Sequence, residues 1–99
     1  MKYQVQVFPS AENDLLEIRV YFENVLKIAA DGLIDKFYDA LLPLLDTPFM
    51  HPLVQDSVLS QKGYHFCVVD NFIIFYKIVE TTVQIHRFVF GRRQISSLL

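Results

Sequence analysis

Polar and apolar residues alternate over residues 2–8, with Tyr3, Val5 and Val7 on one side and Lys2, Gln4 and Gln6 on the other. A period of two predicts a β-strand, which Pro9 ends. From Ala11 the period lengthens. Leu15, Ile18, Phe22, Val25, Leu26 and Ala29 follow at helical spacing, so one stripe of a helix is apolar, while Glu12, Arg19, Glu23 and Lys27 fall toward water. Ser10 stands where an N-cap belongs, with Glu12 and Asp14 in the first turn, where the helix dipole favours negative charge. Asp31 and Gly32 break the run and can cap a second helix, whose stripe is Ile34, Phe37, Leu41 and Leu44 or Leu45. Pro43 kinks or ends it. Two helices joined this tightly predict an antiparallel hairpin.

Residues 46–62 are the least regular. Pro48 and Pro52 argue against regular structure, His51 reads as a loop residue, and Leu53 to Leu59 reads as a short strand or turn. Three strand-like runs follow, rich in aromatic and β-branched residues, with tight turns at Asp70-Asn71 and Glu80-Thr81. Tyr64, Phe66 and Val68 oppose His65, Cys67 and Val69. Phe72, Ile74, Tyr76 and Ile78 oppose Ile73, Phe75, Lys77 and Val79. Val83, Ile85, Arg87 and Val89 oppose Gln84, His86, Phe88 and Phe90. A sheet with helices on one side normally shows water a polar second face. Neither face here is plainly polar, so the second face is expected to be bare and apolar, a place for a partner or a ligand. The tail Gln94–Leu99 is expected to pack back. These patterns predict one α+β domain over residues 1–99, ordered β-α-α-β-β-β, with a helical hairpin on a mainly antiparallel four-stranded sheet.

Composition sharpens this in two ways. Hydrophobic residues make up 53% of the chain, above the usual share of about 45–50%, so part of the excess lies outside the core. Net charge is −2, but residues 1–59 carry four basic and nine acidic side chains, while residues 60–99 carry five and two. That split fits an anionic partner for the second half, or merely a solvated acidic helix face. No apolar run approaches the roughly 18–20 residues of a membrane span, and no secretory signal is visible. A lone Cys67 cannot form an internal disulfide and reads as a buried, inert thiol, so a cytoplasmic location is expected. Phosphate loop, GxSxG, CxxC and HExxH motifs are absent, and His51, His65 and His86 lack ligand spacing, so neither cofactor nor metal is expected.

The one polar constellation worth weighing is His65, His86 and Arg87, with Lys62, Arg92 and Arg93 nearby. Strand pairing can bring His65 or His86 close to Lys77. Histidine moves protons near neutral pH and arginine stabilises phosphate charge, which are the parts needed to cut RNA through its own 2′-hydroxyl. The plainer reading makes the histidines half-buried strand residues and Arg92-Arg93 a solvated strand exit.

The stretch SAENDLLEIRVY, with Ala11, Asp14, Leu15, Ile18 and Tyr21, and the stretch NFIIFYKIVETTVQIHRFVFGRR, with Tyr76, Ile85, Arg87 and the exit Gly91-Arg92-Arg93, together resemble the RelE/ParE superfamily of type II toxins, or plasmid stabilisation proteins. The similarity covers nearly the whole chain. It implies the β-α-α-β-β-β fold and a cognate antitoxin that wraps the toxin with an extended, helix-containing segment, and with it a hetero-oligomer or a homodimer. It also implies one of two activities, poisoning of DNA gyrase or ribosome-dependent mRNA cleavage. This chain departs from many relatives in carrying Phe90 where they have histidine and His65 where they have arginine. Ribosome-cleaving members tend to be strongly basic, because they bind RNA phosphates, whereas this chain is acidic. The expectation is therefore a ParE-like, gyrase-directed toxin, with Arg87, Arg92, Arg93 and Lys62 as target contacts. The alternatives are an mRNA endonuclease using His65 or His86 as base or acid with Arg87 or Arg92 bracing the phosphate, and a non-catalytic interaction module.

Overall fold

The computed structural model describes residues 2–91 and Leu99. Strand β1 (Gln4–Val7) leads into helix α1 (Pro9–Tyr21), which continues as a single π-helical turn (Phe22–Leu26). Helix α2 (Asp31–Leu41) runs into a 3-10 turn (Leu42–Leu45), and a short helix α3 (Ser57–Gln61) precedes strands β2 (His65–Val69), β3 (Phe72–Val79) and β4 (Thr82–Phe90). The sheet order is β1-β4-β3-β2. Strand β1 runs parallel to β4, and the other neighbours are antiparallel.

The first helix starts two residues earlier than expected. Pro9 occupies its first turn and Phe8 is the cap residue, without a side-chain cap bond. A missing N–H costs nothing at that position. Ser10 is thus inside the helix, and its hydroxyl donates to the His86 carbonyl instead. Burial follows the predicted stripe through Leu15 and Ile18 and then fails. The π turn takes more residues than an α turn, which rotates the stripe away from the core; Val25 is 61% exposed. The helix ends at Lys27, in the left-handed region at φ 58°, so the break comes before Asp31-Gly32. That pair lies in the first turn of α2, where Ala30 is the cap residue and no side chain caps.

Helix α1 packs over β4 and α2 over β2. Between them and the sheet lies the main core, built on Leu15, Ile18, Phe37, Leu44, Ile74, Tyr76, Val83, Ile85 and Phe88. A β-bulge resets β4. Phe75 pairs with Arg87 but Tyr76 pairs with Ile85, so His86 is the extra residue. Val83 and Ile85 face the helices below the bulge, and Phe88 does so above it. The strict alternation read from the sequence is corrected there, because one inserted residue moves every later side chain to the other face. Both tight turns stand where expected, with Asp70 and Glu80 at φ 53° and 56°.

The second face of the sheet is not bare. Residues 53–64 fold across it. Asp56 caps α3 by accepting from the Val58 and Leu59 amides, and Leu53 bridges to His65. Val54, Leu59 and Tyr64 bury Phe75 and Val89, with Leu99 packed against them. The expectation of a strand or turn at Leu53–Leu59 is replaced by a capped helix, and the rest of the tail, Gln94–Leu98, lies outside the described residues. Exposed apolar side chains occur on α1 and the π turn, at Leu16, Val20, Tyr21 and Val25, and also at Leu42, Phe49, Met50, Val58 and Val68.

Candidate functional site

Strand β1 stops at Val7, opposite Ile85, while β4 runs on to Phe90. Above that point no strand among the described residues pairs with β4 on its β1 side, and α1 takes over the edge with side chains. Ser10 donates to the His86 carbonyl, and the Asp14 carboxylate accepts from the Phe88 amide at 2.9 Å. The same carboxylate takes the Arg87 fork, with Nε at 2.8 Å and an Nη at 2.9 Å. Asp14 is 3% exposed and Arg87 17%. Asp14 thereby holds the guanidinium proton and raises the Arg87 pKa, an effect to which the Glu17 charge adds. A carboxylate taken this far from water is tolerated only when bonded this completely.

Beyond this ion pair the edge opens into a groove of about 470 Å³. Ile18, Tyr21, Phe22 and Leu26 form its helical wall, and Phe72, Phe88 and Phe90 its floor, with Glu17 at the acidic end. Strand parity turns the Phe90 amide the same way as the Phe88 amide, away from β3. The groove therefore combines an apolar lining with a strand edge that no strand among the described residues covers. Tyr21, at the end of α1, and Leu26, at the end of the π turn, are both more than two-fifths exposed here.

The opposite sheet face carries a second polar feature. Gln6 lies beside Gln84, and Gln84 beside Lys77, by strand register. The Lys77 ammonium sits 5.3 Å from the centre of the Tyr64 ring. Tyr64 donates its hydroxyl proton to His86 Nδ1 at 2.9 Å, and His86 Nε2 donates to the Gln84 oxygen at 3.1 Å. Phe8 stacks on the His86 ring. Burial, and then the Lys77 charge, lower the His86 pKa, so the ring is held neutral. Burial also raises that of the Tyr64 hydroxyl.

The sequence-predicted residues therefore separate. His65 lies on the helix side, stacked on Tyr76, with Nδ1 2.8 Å from the His51 carbonyl. His51 itself has its pKa lowered by burial and by His65. His86 lies on the other face with Lys77, and Arg87 lies at the β4 edge with Asp14. Lys62 is exposed at the end of α3. Arg92 and Arg93 lie outside the described residues. Sequence reasoning missed Asp14 as the partner of Arg87, and it missed the Gln6–Gln84–Lys77 row. The alternation of Gln4 and Gln6 with valines was the available signal for that row. Among the described residues no group of three His, Cys, Asp or Glu side chains is placed to hold a metal ion, and no helix is long and apolar enough to cross a membrane.

Comparison with known proteins places this geometry. The family model for the ParE toxin of the type II toxin-antitoxin system parDE matches residues 5–95. A solved structure of the chromosomal ParDE toxin-antitoxin system from P. aeruginosa is similar in fold, with a TM-score of 0.72 at 15% identity, over 90% of this chain and 96% of that one. The toxin-antitoxin complex RelBE2 from Mycobacterium tuberculosis is also similar, with a TM-score of 0.62 at 19% identity, over 91% of this chain and 99% of that one. No curated protein matches the chain in a sequence search.

Proposed function

The chain belongs to the ParE toxin family of type II toxin-antitoxin systems, and from that premise we propose that it arrests growth through DNA gyrase and that a cognate antitoxin silences it by filling the α1–β4 groove. The family match over residues 5–95 carries the reading. The two solved structures described above come from toxin-antitoxin systems, which supports an antitoxin as the partner. The groove suits such a segment physically. Its apolar walls reward burial, and its open β4 edge offers backbone hydrogen bonds to an extended stretch.

The nuclease alternative draws no support from the histidines. A general base needs a free ring nitrogen within reach of the proton it takes. His86 has both ring nitrogens bonded, to Tyr64 and Gln84, and His65 is 9% exposed beneath the 46–53 loop side. For the gyrase reading we retain Lys62, Arg92 and Arg93 as target contacts. Arg87 belongs to the same proposal only as a neighbour that anchors the strand leading to them.

Two assays test the proposal. The chain is expressed alone and together with the product of the adjacent reading frame, and growth is followed. Arrest in the first case and growth in the second is expected; equal growth rejects the toxin activity. Purified chain is then added to gyrase and supercoiled plasmid. Inhibited supercoiling with accumulated broken DNA is expected, and arrest of cells with normal gyrase activity rejects the target. Arg92→Ala combined with Arg93→Ala should relieve the arrest.

A further inference from the structure

Most of the cations of the described chain either meet a carboxylate or stand in water. Arg19 pairs with Glu23 and Asp31, Lys36 with Asp70, and Arg87 with Asp14. Lys2, Lys27 and Lys62 have no such partner but are exposed. Lys77 differs from both groups. It is half-buried in the middle of the sheet face away from the helices, and among the described residues no carboxylate pairs with it. Residues 92–98 contain no acidic side chain either. Its ammonium rests on the Tyr64 ring, a cation–π contact that offsets only part of the lost hydration.

The hydrogen bonds around it define what is missing. Tyr64 spends its proton on His86, and His86 spends its own on the Gln84 oxygen. What remains unspent at the centre of the row is the Lys77 ammonium and the Gln84 amide nitrogen, with the exposed Gln6 amide alongside. Two of these groups, the Lys77 ammonium and the Gln84 amide nitrogen, can only donate, and one of them is charged. We propose that this row is a docking site for an extended protein segment bearing an Asp or Glu side chain, whose carboxylate sits on Lys77 and whose peptide groups meet the glutamine amides. A nucleic-acid strand fits less well. Phosphate polymers are held by several cations at once, and this row has one, on a chain of net charge −2. The site lies on the opposite face of the sheet from the antitoxin groove and does not depend on the function proposed above.

The test uses the whole chain, made by cell-free synthesis and labelled with nitrogen-15. Its amide spectrum is recorded during titration with capped hexaglutamate and, separately, with a thymidine hexanucleotide. Saturable shifts at Gln6, Lys77 and Gln84 with hexaglutamate are expected. Lys77→Met should weaken that binding at least tenfold with the rest of the spectrum unchanged, Lys77→Arg should retain it, and Lys27→Met, a change at an exposed cation away from this face, should leave it intact. Absent shifts, equal binding by Lys77→Met, equal loss with Lys27→Met, or tighter binding of the hexanucleotide would each overturn the proposal.

Discussion

The two ends of β4 are held by different chemistry. Its root, Thr82–Ile85, lies between two strands, paired by backbone to β1 on one side and β3 on the other. Among the described residues its tip, His86–Phe90, is paired to β3 on one side and meets Ser10, Asp14 and then a groove on the other. A backbone ladder leaves no place for a partner, because every group on both edges is used. Side-chain fastening uses two groups and leaves the rest of the edge open. The family's partner-binding capacity is therefore best sought where β1 ends, and the bulge at His86 marks the changeover.

The sharpest way to break the tip without touching the root is Asp14→Ala. It takes the Asp14 carboxylate away from the Arg87 guanidinium and leaves the Phe88 amide without that acceptor. Removing one member of a buried pair costs about 3–5 kcal/mol, so urea unfolding should show a loss of that order. Asp14→Asn keeps an acceptor for Phe88 and should lose less. As a root control, Ile85→Val removes one fully buried methylene and should cost about 0.5–1.5 kcal/mol. Equal losses for Asp14→Ala and Ile85→Val would mean that the ion pair does not anchor the tip.

The groove gives the next largest effect, on binding rather than folding. Tyr21 is 51% exposed while lining the apolar wall. Central aromatic anchors are typically worth about 2 kcal/mol or more on truncation. Tyr21→Ala should therefore weaken antitoxin binding on the order of 30-fold in calorimetry while shifting the unfolding midpoint little. Val25→Ala, further along the same exposed side, serves as the comparison, and an equal loss there would move the interface off the groove.

Much of the root was legible in the sequence and much of the tip was not, for a physical reason. Periodicity reports burial by regular elements. It placed β1, the α2 stripe through Phe37 and Leu41, and both hairpin turns. It failed where an element changes period part-way. The π turn after Tyr21 and the bulge at His86 each rotate the pattern, and neither carries a glycine or proline that would mark it. Leu53–Leu59 misled because a one-and-a-half-turn helix is too short to show a stripe. Its signal was Asp56 ahead of Ser57, a capping residue weighed only as part of an irregular loop. The Asp14–Arg87 pair joins residues 73 apart in sequence, and each alone reads as a surface charge. The resemblance to RelE/ParE toxins was carried by the order of the pieces, which survives these local shifts.

A smaller effect comes from the first fastening bond. Ser10→Ala removes the donor to the His86 carbonyl and should cost about 1 kcal/mol. Because that carbonyl lies at the exposed start of the tip, water can replace the hydroxyl, which sets the cost well below that of Asp14→Ala. The double variant, compared with the two single ones in a thermodynamic cycle, reads the coupling between the bonds. A coupling near zero would mean that the two side chains hold the edge independently.

The gentlest test acts on the changeover point through pH. The His86 pKa is lowered from 6.5 in the folded chain, by burial first and the Lys77 charge second. The unfolded chain therefore takes up the proton more readily. Above pH 6.5 both states are neutral at this site and its contribution is fully present. As pH falls below that value the unfolded state is protonated first and stability declines, until the folded pKa is passed and the loss levels off. His51 shifts in the same direction, by burial and by His65, so it contributes a decline of the same sign at the loop near the other sheet edge. His86→Gln should remove its own share and flatten the profile of the urea midpoint below pH 6.5, and His51→Gln the remainder. Should His86→Gln leave the profile unchanged, the ring is not held neutral between Tyr64 and Gln84. The bulge would then be maintained by the Ser10 and Asp14 bonds alone.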